Sequence, residues 1–361
     1  MRSEDSRRLR EALEPYLRRS SLLAWTLLLA TAAIYMAAVA GAVMLPSLPA
    51  RLVASVLAGS AISSLFVIGH DAAHGAYTAS RRMNALIGRV AFLPALHNYS
   101  LWQVQHNRLH HRIPNVRGFN SWSPMTKAEF DRLPVWRRTV ERLYRSPLGF
   151  APYYLVERWW KDKFFPRRPQ DRRTAFWLDF ALLLAFLAGF LALLAIVGSS
   201  LGSGALPAML LGFALPYLVW SGLMGATTYM QHTHPRVAWF EALADWRRLG
   251  GQEDVSVQVQ VPRWYGLISH HIMDHPAHHV HPKIPLYRLA AAQRRLNELL
   301  GDRAVTQRFS PGYLLGTVAR CKLYDYERHC WLDFAGQPTS SCALAEAART
   351  EAAAAKAACA A

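Results

Sequence analysis

Four long stretches almost free of charge constrain this chain more than any other feature. Residues 21–44, beginning Ser-Leu-Leu-Ala-Trp, carry no charge, and a helix needs about 20 residues to cross the hydrocarbon core of a bilayer. Further apolar runs cover 52–69, 175–197 and 206–230. In lipid every backbone polar group must find its partner inside the protein, which leaves helices as the natural solution for such segments. The expectation is an all-α membrane protein with four transmembrane helices in two hairpins, 21–69 and 175–230. The first run is too long for the apolar part of a cleavable signal peptide and reads as a first span.

Charge sets the orientation. The first 19 residues carry six arginines, and 108–173 is dense in Arg and Lys, whereas the short connections 46–51 and 199–205 hold one basic residue, Arg51. By the positive-inside rule both termini and the basic middle segment face the cytoplasm. The net charge of +17 would otherwise raise nucleic-acid binding. Here the rule, together with attraction to anionic membrane lipids, accounts for it, and no nucleic-acid partner is expected. The expected organisation is a basic cytoplasmic arm over 1–20, one membrane domain over 21–342, and an Ala-rich tail over 343–361. Within that domain, 82–104 is too interrupted for a span and reads as a re-entrant or interfacial helix. The aromatic and charged stretch 150–165 suits a helix lying at the interface. No strand pattern is strong enough to propose a sheet. Cys321, Cys330, Cys342 and Cys359 show no paired spacing and read as reduced thiols.

Eight of the 15 histidines fall into three tight clusters: His70 and His74; His106, His110 and His111; His275, His278 and His279. Residues three or four apart share one helix face, so each cluster can aim its imidazoles at one place. All three fall on the cytoplasmic side of the expected topology, in a helical cap. One structural zinc closes with four ligands, so eight imidazoles point to a centre of two metals. Histidine alone does not select the metal. The Glu and Glu-x-x-His pattern of soluble di-iron bundles does not occur at these positions. Asp71 and Asp274 each adjoin a cluster histidine, either as acceptors that fix an imidazole tautomer or as local helix caps.

The phrases Gly-His-Asp-Ala-Ala-His-Gly, Gln-His-Asn-Arg-Leu-His-His and His-Pro-Ala-His-His-Val-His-Pro-Lys-Ile-Pro-Leu-Tyr resemble the membrane-bound fatty acid desaturases and their hydroxylase relatives. They look especially like bacterial acyl desaturases of the methyl-end, omega-6 type. The likeness covers nearly all of the chain outside the basic arm and the Ala-rich tail. It implies a non-haem centre of two Fe that uses O2 and two electrons to place a cis double bond in a fatty acyl chain. That chain would be linked to a lipid, CoA or a carrier. The resemblance makes the eight cluster histidines metal ligands and places a ninth at the end of the fourth span, where His232 is preferred to His234. His234, His271 and His281 are candidates for supporting positions beside the site, with Asp71 and Asp274. His97 and His329 are lone residues expected at an interface or surface. A separate electron donor such as a ferredoxin or cytochrome b5-like protein is implied, since no haem module or iron–sulfur cysteine pattern is present. The implied setting is a bacterial inner membrane with the active site facing the cytoplasm. Rival readings are a fatty acyl hydroxylase or alkane monooxygenase on the same scaffold, a carotenoid-modifying oxygenase and, more distantly, a membrane metal transporter. Transport calls for ionisable ligands at mid-membrane, whereas the apolar runs contain no histidine.

Overall fold

The computed structural model describes residues 2–118, 120–164 and 174–341. The Ala-rich tail, Cys342, Cys359 and Phe165 lie outside the described residues. Among the described residues, four helices are long and apolar enough to cross a membrane: Ser21–Met44, Leu48–Ala73, Thr174–Ser200 and Ala205–His232. The first two begin on caps the sequence supplies. The side chains of Ser20 and Ser47 accept from the backbone N–H of Leu23 and Ala50, and Pro49 sits in the first turn of the second helix. The second span is longer than its apolar run. It continues through Ala73 and so carries His70 within its last turn, as a buried side chain.

The second span is the most buried of the four and the third the most exposed. Small residues let the spans close on one another, as lipid-embedded helices require. A Cβ on Gly59 would stand 2.6 Å from the Pro216 carbonyl oxygen and 2.7 Å from Val219 Cβ, which brings the second and fourth spans into backbone contact. Ser55 Oγ donates to the Leu211 carbonyl across the same seam at 2.7 Å. The third span's one acidic residue, Asp179, is buried and paired. It takes Arg89 Nε at 2.7 Å and the Ser100 backbone N–H at 2.8 Å, so this charge is not left uncompensated among apolar side chains.

The expected single helix over 82–104 is two. Arg81–Phe92 ends before Pro94, the chain turns with Leu96 at a φ of 50°, and Asn98 caps a new helix at Tyr99–Gln103. That helix runs straight into a π-helical stretch, Val104–His110. Phe92 and Trp102 pack with Phe66 and Trp220 in the main core, and Gly69 makes room for the Phe92 ring. His97 is buried in this core rather than at a surface. Its Nε2 lies 2.9 Å from the Tyr154 hydroxyl and its Nδ1 2.7 Å from the Ala95 carbonyl.

The stretch from 150 is a short helix, Phe150–Tyr153, continued by a π-helical segment, Tyr154–Phe164. It lies against the fourth span at Gly225, where a Cβ would stand 2.3 Å from the Phe150 carbonyl oxygen. Gly225→Ala is therefore expected to cost about 1–3 kcal/mol through forced separation of the two helices, seen as a lower midpoint of thermal unfolding in detergent. Gly189→Ala, on the third span with nothing within 4 Å, is the control and should not lower it. Equal midpoints for the two variants would mean that the Gly225 contact is not tight.

Residues 233–341 fold into short helices and two small sheets. Gln258–Gln260 pairs in parallel with Thr306–Arg308, and Leu323–Asp325 pairs antiparallel with Cys330–Leu332. No strand pattern in the sequence is strong enough to propose these sheets, because at three residues each the strands are too short for an alternating pattern to be visible. Cys321 and Cys330 are both buried. The N-terminal segment packs onto the rest of the fold. The helix Arg2–Ala12 and the turn after it bury Leu9 and Leu13 against Ala277, Val280, Leu289 and Leu296, and Asp5 pairs with Arg303 at 2.6 Å.

Candidate metal centre

Four pieces of chain deliver the histidines. His70 lies in the last turn of the second span, and His74 is the residue that ends it. His106 and His110 lie in the π-helical stretch and His111 closes it, donating its backbone N–H to the His106 carbonyl at 2.9 Å. His275, His278 and His279 occupy one short helix, His275–Val280, and His232 is the last residue of the fourth span.

The nine side chains form two groups. His70, His74, His106, His111 and His278 make the first; His110, His232, His275 and His279 make the second. Within each group the ligand atoms lie within 4.8 Å of one another. The groups cut across the sequence clusters, and the π helix explains how. An i→i+5 turn takes more residues per revolution than an α turn. The fourth and fifth residues after His106 then fall on either side of its direction, sending His110 to one group and His111 to the other. The groups abut: the His111 and His279 rings stack with centroids 4.5 Å apart.

The donor set fits two metal ions. The Nε2 atoms of His106 and His111, of His111 and His278, of His232 and His275, and of His275 and His279 are each 3.0 Å apart. Nitrogens about 2.0–2.1 Å from a shared ion at right angles would show that spacing. His74 Nε2 is buried without a partner among the described residues, a costly state for a polar atom unless something else binds it. Burial, reinforced by the neighbouring imidazoles, holds His106, His111, His275, His278 and His279 well below the ordinary histidine range. They are therefore neutral, the form that ligates a metal.

Several rings are oriented from behind. His232 Nδ1 donates to the Val255 carbonyl at 3.1 Å. His110 Nδ1 donates to Asn120 Oδ1 at 2.7 Å, and the Asn120 amide is itself fixed by donating to the carbonyls of Ile113 and Val116. Gln252 Oε1 lies 3.3 Å from His279 Nδ1, while its Nε2 donates to the His111 carbonyl at 2.7 Å. One amide thus ties the two groups together. Holding Nδ1–H in this way leaves Nε2 free for a metal. Asn120 and Gln252 belong to no spacing pattern, and nothing in the sequence singles them out.

The candidate supporting residues lie elsewhere. Asp71 is buried, and its Oδ2 accepts the Leu286 backbone N–H at 3.1 Å, so it anchors the start of the helix Leu286–Leu300. Asp274 accepts from Gln258 at 2.8 Å and lies 3.5 Å from His271. His234 accepts from the Arg236 backbone N–H, and burial pushes its pKa down to about 4. His281 is also pushed down to about 4 by burial. Neither His234, His271 nor His281 is in either group. His270 sits in the core beside Thr31 at 3.3 Å, and His329 lies 3.0 Å from the Trp239 carbonyl.

A cavity opens onto both groups. It touches His70, His106, His110, His232 and His275, and is walled by Phe66 and Val67 of the second span and Leu223 and Met224 of the fourth. Trp102, Tyr154, Tyr265 and Ile272 extend the apolar part of the lining, and Gln105, Arg158 and Gln231 are among its polar side chains. Trp102 also stacks on His106 with centroids 4.1 Å apart. Of the 82–104 segment, Trp102 alone reaches this cavity among the described residues.

A family model described as fatty acid desaturase matches residues 46–311. Among similar curated proteins, a chloroplastic omega-6 fatty acid desaturase of Glycine max is 27% identical over 275 residues, 75% of this chain and 62% of its own length. An sn-1 oleoyl-lipid 12-desaturase of Picosynechococcus sp. is 27% identical over 279 residues, 77% of this chain and 78% of its own. A ferredoxin-type sn-1 acyl-lipid omega-3 desaturase of Synechocystis sp. is 30% identical over 254 residues, 68% of this chain and 66% of its own. The chain thus spans less than two thirds of the soybean relative's length.

Proposed function

This chain belongs to the fatty acid desaturase family, and from that premise we infer that it introduces a cis double bond into a fatty acyl chain at a centre of two irons. The observation that carries this reading is the pair of abutting histidine groups, five and four, at the end of an apolar cavity. When bound, two irons supply the oxidising chemistry: O2, two electrons and two protons, together with two hydrogens from adjacent methylenes, leave as two waters. Everything else falls to the protein. The nine histidines hold the metals as neutral nitrogen donors. Asn120, Gln252 and the Val255 carbonyl fix ring orientation, so that the donor atoms need not reorganise when metal binds. Phe66, Val67, Leu223, Met224 and Ile272 accept the methylene chain and exclude water around it.

The relatives named for oleoyl-lipid and acyl-lipid substrates support a lipid-linked acyl chain. The one named with ferredoxin supports a separate electron donor. Burial of the histidine groups at the C-terminal ends of the second and fourth spans, with the basic segments on that side by the positive-inside rule, supports a site on the cytoplasmic face of a bacterial inner membrane.

Product analysis tests the reaction. In a host with a simple lipid profile, expression is expected to yield a new fatty acid lighter by two hydrogens, its bond position read by mass spectrometry after derivatisation. A product heavier by one oxygen would instead establish a hydroxylase.

A further inference from the structure

We propose that a second, polar cavity beside the metal centre seats the phosphate ester that tethers the acyl substrate, whether in a phospholipid headgroup or a CoA-type carrier. This rests on the acyl desaturase reading above. The segment Tyr154–Phe164 is the wall between two cavities. Tyr154 faces the histidine groups, whereas its neighbour Tyr153 faces the other side, and Arg158 lines both spaces. One guanidinium, that of Arg158, thus borders both spaces, so a headgroup in the second cavity would lie beside an acyl chain in the first. Gln105, which lines the first cavity, donates to the Asp162 carbonyl at 3.0 Å and fixes this wall to the second histidine cluster.

The lining of the second cavity is strongly charged. Among the described residues, Arg137, Arg145, Arg158 and Lys161 stand against Glu141, Glu157 and Asp162, four cations to three carboxylates. The pairs are Arg137–Glu157 at 3.1 Å, Lys161–Glu157 at 2.7 Å, Arg158–Asp162 at 2.6 Å and Arg145–Glu141 at 3.4 Å. Glu157 serves two cations at once, which leaves the positive side in excess. Arg145 makes that excess specific. Its side chain is 2% exposed, and Nη2 donates to the Trp122 and Ser123 carbonyls at 3.1 and 3.0 Å. Nη1 is buried with no partner among the described residues. A buried guanidinium nitrogen without an acceptor is unfavourable, and a phosphate offers acceptors matched to the guanidinium fork. Arg158 can turn to the same anion at little cost, since its partner Asp162 is 38% exposed and such surface pairs are weak.

Binding by the full-length protein in detergent, read by native mass spectrometry, tests the site without turnover. The probes are dioleoylphosphatidylglycerol, oleoyl-CoA and the uncharged dioleoylglycerol. The protein is expected to prefer one or both phosphate-bearing probes, and which of the two is held identifies the tether. Arg158→Gln should weaken that probe about tenfold, the scale of one charge-assisted contact, and leave dioleoylglycerol binding unchanged. Lys161→Gln should do the same more weakly, and Arg132→Gln, outside the cavity, should do nothing. In turnover, Arg158→Gln should raise KM for the phosphate-bearing substrate with kcat retained. Equal binding of charged and uncharged probes by the unsubstituted protein, or equal weakening of both by Arg158→Gln, would overturn the proposal. A protein that prefers the phosphate probes but forms no alkene would keep this site and sink the desaturase reading instead.

Discussion

Replacing His278 with alanine is expected to abolish alkene formation and to release iron, while the protein stays folded in the membrane. His278 sits in the five-histidine group with Nε2 3.0 Å from that of His111. It comes from a helix remote in sequence from its partners, so no neighbour in the chain can replace it. Loss of a hydrogen-bond partner behind a metal ligand costs about 10–100-fold in affinity or activity, and loss of the ligand itself should cost more. His232→Ala, in the other group, should behave alike. His234→Ala is the informative companion. It stands two residues away, outside both groups, with its ring against Tyr313, and should leave iron content and turnover near those of the unsubstituted protein. Equal loss from His232→Ala and His234→Ala would mean that the fourth span delivers its ligand differently.

Met224→Trp is expected to cut turnover by about tenfold or more while leaving iron in place. Met224 lines the cavity on the fourth span opposite Phe66 and Val67 of the second, and none of these touches a metal through a polar atom. An indole there takes the volume a methylene chain needs, at an overpacking cost of about 1–3 kcal/mol. Iron analysis and product analysis on the same preparation separate the two effects. Full iron with little product places the acyl chain in this cavity. Full iron with undiminished product on a long acyl chain would send the chain by another route.

The spans were legible because bilayer crossing demands a long apolar run and little else. Their ends were less so: the second extends from Leu48 to Ala73 because buried His70 and Asp71 prolong the helix beyond its apolar stretch. The histidines were legible as sets, and all nine candidate ligands come together in space. Their division was not. Spacing on an α-helix puts His106 and His110 on one face, and the π-helical turn separates them. The third cluster is likewise split, with His278 in one group and His275 and His279 in the other. Adjacency to a histidine left Asp71 and Asp274 open between orienting a ring and capping a helix, because it does not fix where a side chain points. Asp71 turns to Leu286 and Asp274 to Gln258. The amides that do orient the rings, Asn120 and Gln252, reach them from loops through tertiary contact alone. The helix Arg2–Ala12 is rich in arginine, and it is Leu9, with Leu13 in the turn after it, that packs beside Ala277 and Val280 of the helix carrying the third cluster.

The central claim is that histidines from distant parts of the chain enclose a pair of irons. X-ray diffraction from protein purified with added ferrous iron, with anomalous data collected on either side of the iron absorption edge, tests it most directly. Two iron peaks per chain are expected, one among His70, His74, His106, His111 and His278, the other among His110, His232, His275 and His279. A single peak, another metal in fully active protein, or iron bound away from these nitrogens would contradict it.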